Sequence, residues 1–244
     1  MKIIEKFIAK SKNPNEEGPV CIAFLGDSVT QGCFDVYPIS ETAIETYFDA
    51  EHAYHTSFRK ILNMLYPNVP INIINAGISG GSAPQGLERL ERDVLRFSPD
   101  LCVVCFGLND SGVNPDSPDS LDQYLSALQS IFEELIKNDI EVIFMTPNTM
   151  CTEVSCHISS ELIKNIAERK AKVQNSGRLE MFVEAAKKLA FSMNIPVCDC
   201  YIKWKKLQEC GVNTTELLSN KINHPIKEMN QLFAYSLAET IFFS

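Results

Sequence analysis

The feature that most constrains this chain is a rhythm: five short, mostly apolar runs separated by stretches with helical spacing. The runs fall at 20–25, 69–75, 101–106, 140–145 and 195–198. A strand with one wet face would alternate apolar and polar residues, so unbroken apolar runs imply strands covered on both sides. Between them, Tyr54, Phe58, Ile61, Leu62 and Leu65 recur at helical spacing and stop at Pro67. Leu87, Leu90, Val94 and Phe97 predict a second helix, ended by Ser98-Pro99. Ser117-Pro118 reads as an N-cap with a first-turn proline, ahead of a stripe running from Leu121 to Leu135. Two further helices are predicted around Leu179–Leu189 and Met229–Leu237. Strand–helix alternation of this kind specifies an α/β fold, a three-layer α/β/α sandwich on a five-stranded parallel sheet, flavodoxin-like in architecture. No repeat or composition break divides the chain, so 1–244 reads as one domain with 1–18 as an N-terminal extension. The stretches 33–50 and 148–175 read as irregular insertions near the sheet edge where ligands bind.

A chain of 244 residues buries roughly 70–75% of its unfolded surface, so no metal or disulfide is needed to make a core. Acidic residues outnumber basic ones by 31 to 22, a formal charge of −9, which repels phosphate backbones and argues against nucleic-acid binding. No apolar run approaches the ~20 residues that cross a bilayer. The N-terminus mixes Lys2, Glu5, Lys6 and Lys10 with apolar residues rather than forming a secretory core, and a cytoplasmic protein is the expectation. Four of the nine cysteines, Cys21, Cys102, Cys105 and Cys198, lie in apolar runs, where thiols behave as small hydrophobes. Cys102 and Cys105 share a strand, but a period of two points their sulfurs to opposite faces, so no metal site is expected there. His52 and His55, three apart, read as a helix face rather than a metal pair.

In open parallel sheets the binding groups follow the strands' carboxyl ends. The first run ends in Gly26-Asp27-Ser28, the second in Asn75-Ala76-Gly77, the third in Gly107-Leu108-Asn109-Asp110, and Asn223-His224-Pro225 comes just ahead of the last helix. These four segments, in this order, resemble the blocks of the GDSL, or SGNH, hydrolase superfamily. The resemblance implies that Ser28 is the nucleophile and His224 its base. It places Ser28, Gly77 and Asn109 around an oxyanion hole. The chemistry explains the residue types. A serine hydroxyl needs a base to take its proton, and histidine titrates near neutrality. Charge developing on the acyl oxygen needs preplaced donors. The Ser28 N–H, a glycine N–H at 77 and the uncharged Asn109 amide are expected to supply them. No cofactor is implied, and the expected partner is a small-molecule ester.

One position departs from the family. An aspartate usually stands three residues before the histidine; here that residue is Lys221, with Asn220 one earlier. The expectation is a Ser28–His224 dyad whose ring is held by a backbone carbonyl, with Asn220 as the alternative orienter. The resemblance implies carboxylic ester hydrolysis through an acyl-serine. Aromatics with carboxylates in 33–50 lean the substrate toward short acyl groups on a carbohydrate or other small polyol. A lysophospholipase or thioesterase on the same site is the alternative. Two rivals come from other classes: a flavodoxin-like electron carrier, which leaves Asn109 and His224 unexplained, and a binding module on this fold that has lost turnover.

Overall fold

The computed structural model describes residues 1–112 and 120–243. The Ser117-Pro118 N-cap lies outside the described residues. Five parallel strands make the central sheet: β1 (Val20–Gly26), β4 (Ile71–Gly77), β5 (Leu101–Cys105), β6 (Glu141–Met145) and β7 (Val197–Cys198), in the order β4-β1-β5-β6-β7. The three-layer α/β/α sandwich predicted from the apolar runs is therefore the architecture found. Side chains of β1 divide by parity, Ile22 and Phe24 entering one apolar cluster and Ala23 and Leu25 the other. Cys105 and Cys102 separate in the same way.

One face is covered by α1 (Lys2–Lys12), α3 (Tyr54–Leu65), α7 (Glu161–Asn175), α9 (Cys200–Glu209) and α10 (Lys227–Phe242). Phe7, Tyr54, Phe58, Trp204 and Phe233 are fully enclosed there, each worth about 2–3 kcal/mol of apolar burial. The other face is covered by α4 (Ala83–Glu88), α5 (Leu90–Asp93), α6 (Ser120–Lys137) and α8 (Arg178–Ser192). The N-terminal extension is mostly helix: α1 buries Ile3 and Phe7, and the Glu141 carboxylate accepts from the Lys2 and Ile3 N–H groups at its start.

Several predicted elements come out differently. The second helix breaks into α4, α5 and a short 3-10 turn at Leu95–Phe97, which ends on Ser98 in the left-handed region. The stretch 33–50 is a hairpin, β2 (Cys33–Pro38) against β3 (Ile44–Phe48). The stretch 148–175 is irregular only in its first half and then forms the four-turn α7. His52 precedes α3 and sits exposed on Asp49, while His55 is buried inside the helix, so the two do not share a helix face.

The strand order changes direction at β1, with β4 on one side and β5 on the other. Gly26 pairs with both Gly77 and Cys105. Three chain segments therefore leave the sheet at one level, around one crevice.

Candidate active site

Ser28 opens a single turn of helix, α2 (Ser28–Gln31), directly after β1. Asp27 caps it, its carboxylate accepting from the Val29 N–H at 3.0 Å. The Ser28 N–H, at the start of that turn, makes no hydrogen bond among the described residues and is free to meet a ligand. Across the crevice, the His224 ring arrives on the loop before α10. Its Nε2 lies 2.9 Å from Ser28 Oγ. Both residues are nearly enclosed, at 3% and 4% exposure.

The loop that delivers His224 is heavily tied. Asn220 Oδ1 accepts from the N–H groups of Ile222, Asn223 and His224 at 2.9–3.0 Å. The Ser219 N–H donates to the His224 carbonyl at 2.7 Å. The segment after β6 clamps the same loop: Asn148 Nδ2 donates to the Asn223 carbonyl at 2.9 Å, and the Cys151 N–H to that of Ile222 at 2.7 Å.

The other ring nitrogen has an unusual environment. His224 Nδ1 lies 3.0 Å from Asn220 Nδ2 and 3.2 Å from Cys33 Sγ. The three backbone donors on Oδ1 fix the Asn220 amide so that its NH2 faces the ring. An NH2 group can only donate to Nδ1, which would put the ring proton on Nε2, the wrong nitrogen for a base acting on Ser28. The backbone of Phe34 acts in the opposite sense. Its carbonyl lies against the ring as an acceptor and favours the protonated form. Burial, helped by the Lys170 ammonium, nevertheless pushes the imidazole down to about 4. Burial holds the Cys33 thiol up to about 12, so it stays neutral. Glu216, the one acidic residue between Gly211 and His224 in the sequence, serves Lys221 and Ser155 at 3.0 and 2.8 Å, not the ring.

Asn109 and the block after β4 complete the crevice. Asn109 Nδ2 donates one hydrogen to the Gly81 carbonyl at 2.9 Å, leaving its second for a ligand. Gly77 departs from the expectation. Its N–H already donates to Asn75 Oδ1 at 3.0 Å. The residue must be glycine for a different reason: a Cβ there would lie 2.2 Å from the Gln31 backbone nitrogen, so α2 could not pack. Gly80, three residues on, has φ +76 and open space around it, and its N–H makes no hydrogen bond among the described residues. Its loop is stitched beside α2, Ile78 N donating to the Gly26 carbonyl at 3.1 Å and Ser79 N to Gln31 Oε1 at 2.6 Å. Buried Arg89 ties the floor together, donating to the carbonyls of Ala76 and Gly26 at 2.6 and 2.9 Å. Gly80, the Phe34 carbonyl and Arg89 were not singled out from the sequence. Only the first carried any signal, as a second glycine in the same block.

A family model described as GDSL-like Lipase/Acylhydrolase matches residues 24–232. The chain belongs to the GDSL-like lipase/acylhydrolase family. Within that family it is 31% identical over 135 residues to an acetylxylan esterase of Geobacillus stearothermophilus, a match covering 52% of this chain and 58% of the relative. The chain thus aligns with little more than half the length of that curated relative. The fold agrees with solved hydrolases. A crystal structure of an acetylxylan esterase from the same organism superposes with a TM-score of 0.66 at 20% identity, covering 92% of this chain and 95% of the other. A lipase/acylhydrolase from Enterococcus faecalis gives 0.67 at 23% identity, covering 91% and 95%.

Proposed function

We propose that this GDSL-family chain is a serine esterase that removes short acyl groups, acetyl first among them, from a carbohydrate or similar polyol. The observation that carries the reading is the 2.9 Å contact between Ser28 Oγ and His224 Nε2 at the crevice where the strand order reverses. With the ring proton on Nδ1, Nε2 takes the Ser28 proton as the hydroxyl attacks the ester carbonyl. The tetrahedral oxyanion rests on the Ser28 N–H, the Gly80 N–H and the free Asn109 amide hydrogen. Gly80 replaces Gly77, whose N–H is already engaged. Protonated His224 then gives its proton to the leaving alkoxide, and water repeats the sequence to free the acid. Each hole donor is worth about 3–4 kcal/mol by analogy with a comparable enzyme.

The acyl preference is supported by the enclosure of Ser28, which suits a small acyl group. The alcohol is supported by the acetylxylan esterase among its relatives. The test is a series of 4-nitrophenyl esters from acetyl to octanoyl, run on the parent and on Ser28→Ala. Rates should fall along the series in the parent and be absent in the variant. Rates rising with chain length would favour a lysophospholipase or thioesterase instead. We further propose that the described elements form one domain.

A further inference from the structure

Helix α7 comes from the stretch that the sequence left without a role, and it reaches the crevice. Ala167 receives the Cys151 thiol on its carbonyl, and Gln174 Oε1 accepts from the Met150 N–H at 2.8 Å. Between them on the same face stands Lys170. Its Nζ donates to the Leu108 carbonyl at 3.4 Å, a long bond. A Cβ on Gly112 would come within 3.0 Å of that nitrogen. The ammonium therefore lies in the bend from Leu108 to Gly112, the segment that presents Asn109. No carboxylate among the described residues comes within the 4.0 Å of an ion pair. A largely buried cation with one weak acceptor among the described residues is favoured by a negative charge nearby.

We propose that the Lys170 ammonium is a positioning charge for the chemistry at Ser28, a fixed cation on the Asn109 side that favours the anionic tetrahedral intermediate over the neutral ester. This rests on the esterase reading above. Among the described residues, the charged and titratable groups around Lys170 are Asp27 from the end of β1, Asp110 beside Asn109, Cys151 from the clamp, Arg169 on its own helix, and His224. Burial holds the carboxyls of Asp27 and Asp110 up to about 7 and about 6, so near neutrality Asp27 is about half ionised and Asp110 mostly so, neither of them in ion-pair contact with the ammonium. The same cation pushes the His224 imidazole down, which keeps the base free of protons in mild acid.

The measurement is kcat, KM and the pH profile for 4-nitrophenyl acetate in the parent, Lys170→Met, Lys170→Gln, Lys170→Arg and Ser28→Ala. A unit charge acting over several ångströms at an effective dielectric of about 20 is worth roughly ten- to hundredfold in rate. Lys170→Met should lose kcat in that range, with KM changed by less than about threefold. Its acid limb in kcat/KM should move to higher pH, because removing a like charge raises the imidazole. Lys170→Arg should restore most of both. Lys170→Gln keeps an N–H for Leu108 and should behave as Lys170→Met, which covers the case in which the methionine variant does not fold. A neutral variant with the parent's kcat and acid limb overturns the inference while Ser28→Ala stays inactive. Activity surviving in Ser28→Ala overturns the esterase reading itself.

Discussion

Replacing Asn220 by aspartate changes one atom at the least satisfied point of the site. Oδ1 keeps its three backbone donors, so the loop retains its shape. The NH2 that now faces His224 Nδ1 at 3.0 Å becomes a carboxylate oxygen, an acceptor that demands the Nδ1–H tautomer. A carboxylate and an imidazolium about 4 Å apart attract by about 4 kcal/mol at an effective dielectric of about 20, equivalent to roughly three pKa units. The imidazole, at about 4 in the parent, should rise toward neutrality. Two costs oppose the gain: the new carboxylate is itself buried, and the bond from Asn220 Nδ2 to Asn223 Oδ1 at 3.1 Å is lost unless the Asn223 amide turns over. The net expectation is a rise of at least tenfold in kcat/KM at pH 8, with the acid limb displaced upward by one to three units. The assay is 4-nitrophenyl acetate hydrolysis from pH 4 to 9, beside a thermal melt. A variant that melts like the parent but shows neither a faster rate nor a displaced limb would refute the tautomer reasoning.

Other consequences follow from the same contacts. Asn220→Ala should cost about 2–4 kcal/mol of stability, because three buried N–H groups lose their acceptor, yet lose far less rate than His224→Ala. Equal rate losses in the two variants would make Asn220 an essential orienter. Asp27 is fully buried and its carboxyl is held up to about 7 against 3.8 when exposed. Its folded value lies above its unfolded one, so its contribution is present below pH 3.8 and is lost as pH rises through 7. The stability of Asp27→Asn relative to the parent should therefore improve by up to about 4 kcal/mol between pH 4 and pH 8. Denaturation at both ends of that range checks it, and a constant difference would contradict it. Gly77→Ala should both destabilise the protein and slow it, since the new methyl meets the Gln31 backbone behind Ser28. A variant with the parent's melting temperature would refute that packing account.

β1, β5 and β6 were legible because each is covered on both faces and reads as an almost unbroken apolar run, and β4, an edge strand only partly buried, was legible from its isoleucines. The hairpin of β2 and β3 was not, because β3 is mostly exposed and in β2 only Cys33, Phe34 and Val36 are buried, interrupted by Asp35. Helix α7 buries Ile163, Ala167, Ala171, Val173 and Gln174, of which three are small or polar, so its hydrophobic stripe is weak. At the site, Ser28 and His224 stood out as side chains with chemistry, and the structure brings them into contact. The choice between Gly77 and Gly80 depends on which N–H is already engaged, a fact of three dimensions. The Phe34 carbonyl is a backbone atom and has no signature in a sequence.

The central claim is that the Ser28 hydroxyl is a nucleophile because His224 takes its proton. Labelling with a fluorophosphonate, followed by mass analysis of the peptide carrying Ser28, tests this most directly. The account predicts a covalent adduct on Ser28 in the parent, none on that peptide in Ser28→Ala, and labelling slowed by orders of magnitude in His224→Ala. An unlabelled parent, or a His224→Ala variant that labels as fast as the parent, would contradict it.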